Sequence, residues 1–291
     1  MMRPLIILLI HLSAPLMLMG QDPLVAALRA YQEGDLGAAR EFIDSAVTSL
    51  AHENDAEAWL LRGFVYKDLY KTAAPWPDSL RARSLRSLDR CLQLDEGGTY
   101  RSNALQAYEF VARSYFNDAA RALQAMDEER AMAQFDRFTQ AISEHGLENE
   151  LGPRRVEFLN ALGTSFTKRY NEDREQHDLF DRAVETYRQV LAFAPDNYGA
   201  NYNLATLFYN RGVHNIQKLD IDNDIPSIQK IQEVSKELFL EALPYMQKAH
   251  EMRPERRETL LGLEGIYYSL QDDERSEEFR LKFEALPPDQ E

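Results

Sequence analysis

A chain of 291 residues with 48 acidic and 33 basic side chains carries a formal charge of −15. Such a surface repels phosphate backbones and anionic lipid head groups, which argues against nucleic acid as a partner and favours a basic one. Hydrophobic content of 44% is enough for a packed core, and a single cysteine, Cys91, means the fold must hold without disulfides.

The N-terminus stands apart. Met1, Met2 and Arg3 form a short positive start, Leu5 to Met19 is mostly apolar but broken by His11, Ser13 and Pro15, and Gly20, Gln21, Asp22 and Pro23 follow. The pattern reads as a secretory signal peptide over 1–20, cut near Gly20. An uncleaved anchor is the alternative, but about 15 apolar residues interrupted by His and Pro span a ~30 Å hydrocarbon core poorly. The expectation is an exported, periplasmic protein of a bacterial cell envelope whose mature chain has no stable membrane insertion.

From residue 21 to 291 one spacing recurs: a small residue, three intervening, a large apolar one, two intervening, a small one, four intervening, then a stop. A stripe of that kind is the packing side of a helix. Unit 23–52 shows it at Ala39, Ile43, Ala46 and Ala51. Unit 54–97 opens on Trp59, Gly63 and Tyr66, with Arg62 where leucine is expected, and closes on Ser84, Leu88, Cys91 and Glu96. Cys91 takes the small position, so a buried core thiol is expected. Unit 99–147 is degenerate, with Ala131 and Phe135 in place and Phe138 where a small residue belongs. Unit 153–196 pairs Leu162, Gly163 and Phe166 with Ala183, Tyr187, Val190 and Pro195. Unit 197–255 pairs Leu204, Ala205 and Phe208 with Ala242, Met246, Ala249 and Pro254, and unit 256–286 closes the array with Leu263, Tyr267 and Ser276.

Surplus residues fall at one place in these units. Seventeen separate Tyr66 from Ser84, 16 separate Phe166 from Ala183, and 33 separate Phe208 from Ala242, against 8 between Tyr267 and Ser276. They can add a turn to each helix or make a loop, such as the one carrying Trp76 between two prolines. Trp76 is a partner-contact candidate if exposed, and packs on its own repeat if not. In the insert 213–241, Ile228, Ile231, Val234, Leu238 and Ala242 recur at helical spacing. This predicts a helix starting near Pro226 and projecting beyond the array, kinked at Pro244. Asp220, Asp222 and Asp224 alternate like the opening of a calcium loop, but Ile225 replaces the turn glycine and Ile231 the closing glutamate. A solvated turn with Asp224 as N-cap is the better reading. His250 and Glu251 lack the second histidine of a zinc motif, and no nucleophile or phosphate-loop motif is present. No catalytic residue, metal or cofactor is assigned.

The paired stripes resemble the tetratricopeptide repeat family across nearly everything after residue 22. That resemblance implies an all-α, right-handed α-solenoid of about five to six helix-turn-helix units, here with extended inter-helix insertions. It also implies a concave face lined by the first helices, where many members bind peptides or partner proteins. The family's clamp for a C-terminal carboxylate would fall on Asn160, Thr164, Asn203, Glu258 and Gly262; only Asn203 fits, and Glu258 would repel the ligand. The groove would instead present Asn160, Thr164, Lys168, Tyr202, Asn203, Thr206, Tyr209 and Asn210, either as a peptide surface or as ordinary solvated positions. The reading is a non-enzymatic envelope scaffold binding a protein or peptide through this groove, the 213–241 insert, or both, with a monomer favoured. A self-assembling component, or a small-ligand or metal-binding module at 216–233, is the alternative.

Overall fold

The computed structural model describes residues 22–73, 77–147, 151–220 and 224–287. The expected signal segment, Trp76 and Asp222 lie outside them. Twelve helices and no strand are found among the described residues: α1 (Pro23–Gln32), α2 (Leu36–Ala46), α3 (Ala56–Thr72), α4 (Asp78–Leu94), α5 (Arg101–Gln124), α6 (Glu128–Glu144), α7 (Leu151–Glu172), α8 (His177–Phe193), α9 (Tyr198–Gln217), α10 (Ile225–Met252), α11 (Arg257–Ser269) and α12 (Asp273–Glu284). They form six successive pairs, an all-α array of tetratricopeptide-like helix hairpins.

The helix starts explain part of the acidity. Asp22, Asp35, Asp55, Asp127, Asp224 and Asp272 each stand at an N-cap and accept a hydrogen bond from a first-turn backbone N–H. A carboxylate there satisfies an orphan donor and opposes the positive end of the helix dipole. The turns between paired helices are tight, and Gly34 closes the first of them at φ 80°.

Two compact bodies divide the chain, residues 1–111 and 112–291, with the division inside α5. In the first body α1 packs on α2, α2 on α3 and α3 on α4, and α1 also meets α3. In the second, each helix from α6 to α12 packs on the next, and α7 meets α9 as α9 meets α11. Each helix touches only its neighbours and next-but-one neighbours in sequence, the mark of a one-dimensional array.

The small positions do what their spacing predicts. A Cβ added to Gly163 would stand 2.8 Å from the Tyr187 ring, and one added to Gly63 would stand 2.6 Å from Leu88 Cγ. First and second helices therefore meet backbone to side chain, with the large residue of one seated on the glycine of the other. Cys91 is fully buried, and that burial, with Asp95 and Asp55 nearby, pushes its thiol up to about 11.

Where leucine was expected, Arg62 does polar work. Its guanidinium lies 4.8 Å over the Tyr66 ring and 5.5 Å over Trp59. It donates to Asp44 at 2.7 Å and to Ser87 at 2.7 Å, while the Tyr66 hydroxyl donates to Asp44 at 2.6 Å. One network thus ties α2, α3 and α4 together, each polar group satisfied.

The surplus residues become helix. Helices α3 and α4 each have 17 residues, α7 has 22, and five-residue or shorter connections remain between the partners. The insert is shared in the same way, which revises the expected lone projecting helix. Helix α9 runs on to Gln217 and α10 starts at Ile225, Asp224 capping it by accepting from the Ser227 N–H at 2.9 Å. The two extensions pack on each other: Phe239 fills the space a Cβ on Gly212 would need, and Ser235 is fully buried. Helix α10 continues through Pro244, which is exposed. In 99–147, the oversized Phe138 is fully buried and packs with Phe116 at 5.4 Å and Phe135 at 5.9 Å, so an aromatic cluster replaces the small-residue contact.

His52 links two helix caps in the first body. Its Nε2 is 3.0 Å from Asp22 and its Nδ1 is 3.2 Å from Asp55, the caps of α1 and α3. Burial pulls its pKa down, but the hydrogen bonds to Asp55 and Asp22 and their charge outweigh this, and the net shift is upward from 6.5. A raised histidine stabilises the fold fully below its unfolded value, and that contribution is lost as pH rises through the folded one. Thermal melts of the wild type across pH 5.5–8.5 should show this slope on the alkaline side of 6.5, and His52→Gln should flatten it.

Candidate partner-binding face

The face to consider is carried by the first helices of the second body. On α7, Asn160, Ala161, Thr164 and Lys168 share one side because they recur at three- and four-residue steps. Opposite them stand Phe116, Ala120 and Leu123 from the second half of α5. A cavity of about 600 Å³ lies between the two helices, and Asn160, Thr164 and Lys168 line it.

Its floor is rigid. Phe158, 4% exposed, stacks on Phe135 of α6 with ring centroids 4.1 Å apart. Beside it Glu128, 4% exposed at the start of α6, accepts from the Ser165 hydroxyl at 2.8 Å and from Arg169 at 2.8 Å. A buried carboxylate with both oxygens occupied by α7 fixes the angle at which α7 leaves α6. Met126 closes the α5–α6 turn at φ 60° and places its sulfur 3.6 Å from the Ser165 hydroxyl, at the cavity wall.

The polar groups on α7 are partly spent and partly open. Asn160 donates to the Val156 carbonyl at 3.0 Å, while its Oδ1 is buried without a partner. Thr164 donates to the Asn160 carbonyl at 2.9 Å and lies 3.3 Å from the Tyr187 hydroxyl. Burial raises the pKa of that hydroxyl, more than the neighbouring hydrogen bonds lower it. Lys168 is exposed. An apolar floor with an open amide oxygen, a hydroxyl and an ammonium along one edge suits an extended peptide, whose backbone N–H groups need acceptors and whose side chains need apolar space.

The remaining predicted groove residues do not converge on this cavity. Tyr202, half-buried on α9, stacks on Tyr198 at 6.0 Å, and burial raises its hydroxyl. Asn203 and Thr206 are half-buried on the same helix. Tyr209 packs on Gly265 of α11 and on Phe239, and lines a separate cavity of about 950 Å³ with Val213 and Tyr268. The Asn210 carbonyl accepts from Arg174 at 3.3 Å. Trp76 is outside the described residues. Phe116, Ala120 and Leu123 were not foreseen, since they sit in the unit whose stripe is weakest. Among the described residues no three metal-ligating side chains gather, and no helix is long and apolar enough to cross a membrane.

No family model matches the chain, and no curated protein matches it. Solved structures similar to it include the human IFIT1 dimer with m7Gppp-AAAA, at 14% identity and a TM-score of 0.36, covering 90% of this chain and 59% of that one. A monomeric IFIT1 mutant with Gppp-AAAA gives 14% and 0.37 with the same coverage. The MamA protein gives 15% and 0.23, covering 79% of this chain and 93% of that one. The chain thus spans about three fifths of the length of the IFIT1 chains it matches.

Proposed function

We propose that this protein is a non-enzymatic interaction scaffold of the bacterial cell envelope, exported by cleavage near Gly20, and that it binds an extended segment of a partner protein between α5 and α7. The supporting observation is the 600 Å³ cavity, with its aromatic floor and the buried, unpartnered Oδ1 of Asn160 at its edge. Burying an acceptor with no partner costs about 1–3 kcal/mol, and a peptide N–H placed there removes that cost on binding. The net charge of −15 favours a partner segment with basic flanks, attracted over a range of about 10 Å at 0.1 M salt. Export rests on the Leu5–Met19 run and is checked by the N-terminal sequence of the periplasmic protein.

The test is a photo-crosslinker placed in living cells at Ala161 or Thr164, with Gly152 as a control on the same helix. Crosslinks to one protein from the first two sites and not from the third are expected. Asn160→Ala with Lys168→Glu should reduce their yield roughly tenfold, equivalent to about 1.4 kcal/mol. Crosslinks equally strong from Gly152, or unaffected by the double substitution, would place the contact elsewhere. A mass that rises with concentration would favour self-assembly.

A further inference from the structure

The first body holds a second hollow, of about 310 Å³, between α3 and the start of α5. Phe64, Lys67 and Lys71 on α3 face Asn103, Gln106 and Phe110 on α5, both sets at the three- and four-residue steps of a helix face. The Lys67 ammonium lies 4.7 Å from the centre of the Phe64 ring and the Lys71 ammonium 5.7 Å from that of Phe110. Two ammonium groups are therefore held at the hollow by aromatic faces.

Their charge is not balanced locally. Both depend on one carboxylate, Asp68, whose Oδ1 lies 3.8 Å from Lys67 and 3.5 Å from Lys71. Its Oδ2 is taken by the Tyr31 hydroxyl at 2.6 Å. An aromatic face attracts a cation but does not neutralise it, so the pair keeps a net positive charge in a chain of −15. Asn103 and Gln106 are exposed, and neither amide makes a hydrogen bond among the described residues. Phe110 is 49% exposed.

We infer that this hollow is a binding site for an oxyanion carried on an apolar or aromatic group, a carboxylate or a phosphate. Lys67 and Lys71 supply the countercharge, the Asn103 and Gln106 amides donate to the oxyanion, and the organic part lies along Phe64, Ala107 and Phe110. The site is independent of the α5–α7 cavity, which lies in the other body. The overall negative field gives such a ligand no long-range steering, so capture depends on these groups at close range.

Titration of the purified chain with benzoate and with phenyl phosphate, followed by ligand-observed NMR, tests this, with neutral benzamide as the control of equal shape. Binding of one or both acids with Kd near ~1 mM is expected, with benzamide at least about tenfold weaker. The acid that binds more tightly identifies the natural oxyanion as carboxylate or phosphate. K67Q/K71Q should weaken binding at least about tenfold without moving the melting temperature, since both side chains reach solvent. D68N, which retains an acceptor for Tyr31 but frees both ammonium groups, should tighten it severalfold. No response to either acid, equal binding of benzamide, or indifference to K67Q/K71Q would overturn the assignment.

Discussion

Gly163→Val should destabilise the second body by about 3 kcal/mol, a fall of roughly 6–12 °C in melting temperature for a body of this size. The Cβ alone would stand 2.8 Å from Tyr187, whose ring is 1% exposed and has no empty space to enter. Valine adds two methyl groups at the same point, so α7 and α8 must separate. Gly163→Ala is a milder test, because about 1 kcal/mol of helix propensity offsets part of the clash. Gly152→Ala, on the same helix, meets nothing within 4 Å and should be neutral or stabilising by about 0.5 kcal/mol. Scanning calorimetry of the three variants decides the matter. A harmless valine at 163 would mean that the close helix contact does not hold the pair.

Glu128→Ala should cost a similar amount, about 3 kcal/mol, because it leaves Ser165 and Arg169 without their shared acceptor at the α6–α7 junction. Arg169 is 37% exposed and recovers part of its solvation, which keeps the loss below that of a fully buried pair. Glu128→Gln retains an acceptor for Ser165 and should cost about half as much. Hydrogen exchange should localise the effect to α6 and the first turns of α7. Since this junction forms the floor of the α5–α7 cavity, the same substitution should weaken partner crosslinking from Thr164. Unchanged exchange at α6 would show that Phe135 and Phe158 alone set the junction.

The helix pairs were readable because each leaves a periodic trace. Ala39, Ile43 and Ala46, or Ala183, Tyr187 and Val190, lie on one face by spacing alone, and all six are buried. Asp224 was readable as an N-cap since capping depends on residues three apart. The α5–α6 pair was less legible because Phe138 breaks the small-residue stripe, and its compensation by Phe116 and Phe135 is a contact between helices. Arg62 departed from the expected leucine for the same reason: its partners Asp44 and Ser87 lie on two other helices.

The candidate site divides along the same line. Asn160, Thr164 and Lys168 could be placed on one face of α7 from their spacing, but not opposite Phe116, Ala120 and Leu123. Nor could spacing show that Tyr209 is committed to Gly265. Local order in this chain, its helices, caps and packing stripes, was decided by the sequence, because those features depend on residues within a turn or two of each other. The cavity at Asn160, the doubly lysine-lined hollow at Asp68 and the sharing of the insert between α9 and α10 were decided by tertiary structure. They depend on which faces of separate helices meet, and on which charges and buried atoms are left without a partner once they have met.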